Sequence, residues 1–424
     1  MKPFKLPENF LLGSATAAEQ IEGGDKNNNW YDWCIKGHIK DNSTCLRANE
    51  HWERFRDDIE LMKALNHKTY RMGLSWSRIE PEEGKFDPKA IEHYREELEL
   101  LRSSGIVPLI TLHHFAHPLW LVEKGGFEDK SVLWYFERYV KHVVSSLGDL
   151  ASDFITFNEP NVYALYGYFY GTWPPGRKSL RLYNRVLRNM TICHIKAYKL
   201  IHKIRRDNGF TGETKVGLAH HLRVFDPYNR YNPLDIMTAR LMEYLFQDMV
   251  MKSMSSGFLR PPMGFGIPLT AGKYQDFLGI NYYSRTAARF KGFQDSIMPG
   301  GPRNDLGWEI YPEGLYRLCK KYSRIYHIPI WITENGTCDA NDSFRARFIY
   351  DHLYQASRLC DEGVRIERYY HWTLMDNFEW LEGESAPFGL YHVDFETQRR
   401  TLRKSGEFYA ELSRSNEVKR CLSP

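Results

Sequence analysis

The stretch Phe154-Ile155-Thr156-Phe157-Asn158-Glu159-Pro160-Asn161 decides how the chain is read. Four β-branched or aromatic residues form a short apolar run. It stops at two polar residues, and Pro160 then prevents the strand from continuing. Seven further β-rich runs occur: Phe10–Ala15, Thr69–Leu74, Val107–Leu112, Lys215–Ala219, Phe277–Asn281, Ile328–Thr333 and Arg368–Thr373. Between them lie amphipathic helical patterns at Ala48–Leu65, Pro88–Arg102, Ser131–Leu147, Tyr183–Arg206, Leu234–Ser255 and Ser343–Cys360. Asp87-Pro88 and Asn232-Pro233 read as helix starts; Gly105, Gly148 and Gly209 read as stops. Alternating β and α units imply a parallel sheet, and eight is the number that closes a barrel. The expectation is an α/β fold, a single (β/α)8 barrel over residues 1–424, with its chemistry at the C-terminal ends of the strands.

Composition agrees with one large soluble unit. The 424 residues are 42% hydrophobic and 26% charged, with a net charge of +4. Disorder is excluded as the main state. So weak a field argues against a nucleic-acid or membrane-surface binder. No apolar window is long enough to span a bilayer. Lys2 and Lys5 before Phe10-Leu11-Leu12 mimic an export signal only loosely, because Pro7, Glu8 and Asn9 interrupt the join. The seven cysteines are scattered and odd in number, which points to reduced thiols in a cytoplasmic protein, not to a disulfide framework or zinc site. The sequons at Asn42, Asn189, Asn335 and Asn341 read as chance. Aromatic residues reach 15%, so either the core is unusually aromatic or flat rings hold a ligand.

The polar residues worth noticing fall at the ends of the runs. Gln20 follows the first, Arg71 lies in the second, and His114 follows the third. Asn158 and Glu159 end the fourth, Asn281 and Tyr283 the sixth, Glu334 the seventh and Trp372 the eighth. Glu159 and Glu334 share a context: a buried run before, a chain-breaking residue after. Two partly desolvated carboxylates facing each other at about 5 Å suit retaining glycoside hydrolysis, whereas inverting enzymes need a wider gap. Only barrel closure could bring these two together.

Five motifs then resemble glycoside hydrolase family 1, the retaining β-glycosidases. They are Phe10 to Gly23 (FLLGSATAAEQIEG), Thr156 to Asn161 (TFNEPN), Leu278 to Tyr283 (LGINYY), Ile332 to Gly336 (ITENG) and His371 to Trp380 (HWTLMDNFEW), in the family's order. The resemblance implies Glu159 as general acid and base and Glu334 as nucleophile. It implies Arg71 and Tyr283 as partners that keep the nucleophile ionised, with Asn281 beside them. Gln20, His114, Asn158, Glu379 and Trp380 match residues that bind sugar hydroxyls, Trp372 the platform under the ring, and Phe388 a residue near its exposed edge. The implied activity is exo-acting hydrolysis of terminal β-glucosyl residues, with β-galactosyl or β-fucosyl also accepted. Small β-glycosides and short oligosaccharides are the implied partners, and no cofactor or metal is needed. β-Mannosidase, transglycosylation and an inactive sugar-binding relative remain the alternatives.

Two details depart from the family's pattern. Glu19 precedes the site Gln where an aromatic or neutral residue is usual; strand alternation directs it away from Gln20 toward a partner elsewhere. Phe115 replaces a Trp after the site His. A subgroup acting on 6-phosphorylated sugars loses the Glu-Trp pair. Here Glu379-Trp380 is kept, and Leu381 to Leu390 holds no Lys or Arg to meet a phosphate. His113 and His117 are four apart, but Pro118 and the missing Glu argue against a metal motif. The aromatic stretch from Tyr163 to Trp173 suits packing and a leaving-group wall equally.

Overall fold

The computed structural model describes residues 2–292 and 294–419. The eight expected runs are eight strands: β1 (Leu11–Ala15), β2 (Thr69–Gly73), β3 (Val107–Thr111), β4 (Asp153–Asn158), β5 (Lys215–Pro227), β6 (Leu278–Arg289), β7 (Ile330–Asn335) and β8 (Ile366–Trp372). Each pairs in parallel with the next, and β8 pairs with β1, so the sheet closes on itself. The strands are buried on both faces, which is why they read as continuous apolar runs and not as alternation.

Register sets the rim. Ala15 pairs with Arg71, Asn158 with Ala219, His221 with Asn281, Asn281 with Glu334, and Trp372 with Ala15. Residues distant in sequence thus stand level at one end of the barrel. β5 and β6 run beyond the expected segments. Their pairing continues to Pro227 and Ala288, and Gln294–Ser296 adds an antiparallel strand.

The outer helices bury one face each. Those at His51–Ala64, Pro88–Ser103, Val132–Leu147, Leu180–Asp207, Pro233–Glu243 and Arg345–Asp361 match the amphipathic patterns. The Asp87 and Asn232 side chains cap their helices by accepting from the Lys89 and Leu234 N–H groups. Gly105 and Gly209 take positive φ, while Gly148 ends its helix in ordinary right-handed geometry. Two long helices were not foreseen, at Glu313–Tyr326 and Lys404–Ser415, nor were short ones such as Asn29–Ile35 and Leu119–Glu123. Among the described residues no helix is long and apolar enough to cross a membrane. The six described cysteines are unpaired and mostly buried; Cys421 lies outside the described residues.

Candidate active site

Glu334 is the last residue but one of β7 and is 3% exposed. Arg71 Nη1 donates to its Oε1 at 2.5 Å, and the Tyr283 hydroxyl donates to its Oε2 at 2.6 Å. Arg71 is fully buried. Its other donors go to Thr111 Oγ1, the Thr333 carbonyl and Asn158 Oδ1, so Glu334 is the one carboxylate it touches. Gly336 follows at a point where a Cβ would meet the Trp372 carbonyl oxygen at 1.9 Å. Only glycine lets β7 end against β8 in this way.

Glu159 leaves β4 in the left-handed region, with φ of 40°. Phe115 and Trp380 are also left-handed, at 69° and 49°. A non-glycine residue seldom adopts this geometry without surrounding structure that enforces it. Glu159 Oε1 accepts from Asn281 Nδ2 at 2.8 Å and lies 3.0 Å from His221 Nδ1. Asn281 also donates to Asn158 Oδ1 at 3.0 Å. A chain of hydrogen bonds therefore runs from Glu159 through Asn281, Asn158 and Arg71 to Glu334.

The remaining expected residues meet around the same rim, on the strand ends and loops next to these. Gln20 Nε2 donates to Asn377 Oδ1, the Phe378 carbonyl and Glu379 Oε2. Trp372 Nε1 donates to the same Glu379 oxygen at 3.2 Å. Asn158 Nδ2 is 2.8 Å from His114 Nε2, which leaves Nδ1 to carry the hydrogen on that ring. The His114 ring lies 5.9 Å from both Trp372 and Trp380. Gln20 Oε1 and His114 Nδ1 are buried and have no partner among the described residues. Unpaired buried polar atoms are costly, and such atoms are usually satisfied by a ligand or water. Phe388 stands beside Tyr283 and Trp308.

Electrostatics bind the carboxyls into one pair. Burial pushes Glu334 up to about 7; the charge of Glu159 adds to the rise, while Arg71 and Tyr283 oppose it. Burial also lifts Glu159. When His221 carries a charge, however, that cation, the His221 and Asn281 hydrogen bonds and Arg71 outweigh burial and hold Glu159 below the usual range. This reverses the expected order, in which Glu334 is the charged member. Burial raises Glu379 to about 8, with Glu334 and Glu159 adding to the rise.

Other expectations are corrected in detail. Ala18–Ile21 is a helical turn, so strand alternation does not orient Glu19. Its partners do lie elsewhere: Asn28 Nδ2 and Ser75 Oγ donate to it. Phe115 packs between Trp173 and Trp380, filling the wall. Tyr163 and Tyr168 are core, Phe169 and Tyr170 face solvent, and Trp173 lies on Trp30, Phe115 and Trp380. His113 and His117 pack among Phe127 and Tyr163. Among the described residues no group of His, Cys, Asp or Glu could hold a metal ion. A separate cleft of about 440 Å³ includes Arg317, Lys320 and Lys321, each already paired with an acid.

His221 and Arg223 were missed. The expected run stopped at Ala219, and only the observed extension of β5 to Pro227 shows that His221 and Arg223 alternate with Ala219 on one face.

The family model described as glycosyl hydrolase family 1 matches residues 2–260 and 269–418. A protein named β-glucosidase A from Acetivibrio thermocellus is 34% identical, across 98% of this chain and 100% of its own length. A 6-phospho-β-galactosidase from Staphylococcus haemolyticus is 31% identical, across 98% of this chain and 100% of its own. Among solved structures, a β-glycosidase from Pyrococcus horikoshii superposes with a TM-score of 0.91 at 36% identity, covering 99% of this chain and 97% of that one.

Proposed function

The chain belongs to glycosyl hydrolase family 1, and from that premise we propose that it is an exo-acting, retaining β-glucosidase that also accepts β-galactosyl and β-fucosyl groups. The observation that carries the reading is the pair Glu159 and Glu334. Each has its own set of donors, and both lie on one hydrogen-bonded chain at the barrel rim. The β-glucosidase relative supports the substrate class.

The reaction has two steps. Glu334 attacks the anomeric carbon while Glu159 protonates the departing oxygen, giving a covalent glycosyl-enzyme. Covalent bonding removes the charge of Glu334, so the pKa of Glu159 falls; having given its proton to the leaving group, it stays ionised and can act as a base on water. Attack by that water returns the sugar with its β configuration. Arg71 and Tyr283 stabilise the ionised Glu334, and Asn281 orients Glu159. Gln20, His114, Asn158, Glu379 and Trp380 hold the sugar hydroxyls, and the two unpartnered atoms on Gln20 and His114 support this. Trp372 lies under the ring and Phe388 at its exposed edge. The reading requires no cofactor or metal. Unpaired buried thiols support a reducing, cytoplasmic setting.

The 6-phospho-β-galactosidase relative makes phosphorylated sugars the reading to exclude. Glu379 is partly buried on the sugar side and accepts from Gln20 and Trp372. A phosphate brought against that carboxyl would be stripped of water there, and Leu381 to Leu390 holds no Lys or Arg to pair with it. A panel of nitrophenyl β-glycosides tests the proposal. Turnover of the glucoside with little on its 6-phosphate is expected. Strong turnover of the 6-phosphate alone would overturn the sugar assignment, and no turnover of any member would overturn the activity.

A further inference from the structure

We propose that His221 and Arg223 form a positioning pair, in which Arg223 fixes His221 as a neutral ring that presents its Nδ1–H to Glu159 and so leaves the shared proton of the carboxyl pair with Glu159. The inference rests on the reading of Glu159 as acid and base.

Both residues stand on β5, two positions apart. Arg223 Nε donates to His221 Nε2 at 3.2 Å, and His221 Nδ1 lies 3.0 Å from Glu159 Oε1. A guanidinium can only donate. The Nε2 lone pair is therefore occupied, and the ring hydrogen belongs on Nδ1, facing the carboxylate. Both the strand and the ring are held. Asn161 Nδ2 donates to the His221 carbonyl at 2.9 Å, Gln247 Oε1 accepts from the Arg223 N–H, and Phe246 meets both the imidazole and the guanidinium. His221 is 8% exposed.

The charges around the pair explain why neutrality matters. Glu159 faces Glu334, Arg71, Tyr283 and Glu379; His221 faces Glu159, Arg223 and Tyr283. A histidine beside a buried carboxylate ordinarily takes up a proton. A charged His221 draws the proton from Glu159 to Glu334. Arg71 is then buried against a neutral acid, which is the unfavourable arrangement for a buried cation. A neutral Nδ1–H donor is milder. It steadies ionised Glu159 for the second step and still leaves a protonated Glu159 for the first.

The test uses the full chain and phenyl and dinitrophenyl β-glucosides. The basic limb of kcat/KM on the phenyl substrate reports loss of the Glu159 proton. His221→Leu removes a donor to the ionised form, so this limb moves up by about one pH unit. Arg223→Met frees Nε2, so His221 becomes chargeable and the limb moves down. His221→Asn, with a short donor, restores most of the wild-type profile. Nitrogen-15 histidine spectra of the wild type show a neutral Nδ1–H ring at neutral pH. An imidazolium in that spectrum, or limbs that stay fixed or move the same way in both variants, would overturn the pair. Should Arg223→Met not fold, the spectrum and the two His221 variants still decide. Glu159→Ala in the same assays separates the failures. If it slows both substrates equally, the acid role falls and the pair with it. If it discriminates between them while His221→Leu leaves the limb in place, the pair alone fails.

Discussion

The rings of His221 and Tyr283 lie nearly parallel, 5.8 Å apart at 19°. The first serves Glu159 and the second donates to Glu334. The two carboxyls are thus held by side chains packed on each other, and a shift of one is felt by the partner of the other.

Replacing Glu334 by Gly should lower hydrolysis by about 10⁴-fold or more, since nucleophile removal costs on that scale. Azide should restore cleavage and give the inverted azide product. Chiral analysis of the product and steady-state rates check this. Turnover near wild type would remove Glu334 from the role.

Glu159→Ala should slow phenyl glucosides by about 10²- to 10⁴-fold, the range for general-acid loss. Formation of the glycosyl-enzyme from dinitrophenyl glucosides should change little, because their leaving groups need no proton. Rates across a leaving-group series decide; a uniform loss would contradict the assignment.

His51 offers a stability test away from the site. It is buried between Asp58 and Glu97, at 2.8 and 3.1 Å. Burial pulls its pKa down, but Glu97 and Asp58 prevail and raise it to about 10. A raised folded value means the stabilisation is whole below the unfolded value near 6.5 and fades as pH climbs to 10. His51→Gln should therefore cost most at pH 6, about 3–5 kcal/mol for a broken buried pair. The gap should narrow by about 1.4 kcal/mol per pH unit above 6.5. Urea unfolding at pH 6, 8 and 10 measures it, and a constant gap would refute it.

Gly336→Ala puts a methyl group into the Trp372 carbonyl. Overpacking of this kind typically costs about 1–3 kcal/mol. A lower Tm together with a fall in kcat/KM on the nitrophenyl glucoside is expected, because the ends of β7 and β8 must part. An unchanged Tm and kcat/KM would show that the contact relaxes freely.

Barrel strands were legible because strands buried on both faces must be apolar throughout. β7 shows it: Ile330 to Thr333 is fully buried, and the polar residues begin where the barrel ends. The helix at Glu313–Tyr326 was missed although its pattern is present. Leu315, Leu318, Cys319 and Tyr322 repeat at helical spacing and are its buried face. The extension of β5 was not legible. His220 to Pro227 is half polar, and it stays extended because β6 pairs with it beyond the barrel wall. His221 lies in that extension, which is why motif order found Glu159 but not the ring beside it. Glu19 was misread for a related reason: a single helical turn of four residues is too short to show a period.

The long β5–β6 pair separates two kinds of work around the rim. His221, Arg223, Asn281 and Tyr283 sit on it, while Trp372 ends β8 and Gln20, Glu379 and Trp380 lie in the segments after β1 and β8. In the proposed reading, the residues that tune the proton of Glu159 and most of those that hold the sugar thus come from different segments of chain. A library confined to the loops after β1 and β8 can explore new sugars while the acid and nucleophile keep their neighbours. One confined to the ribbon can move the working pH while the sugar stays the same.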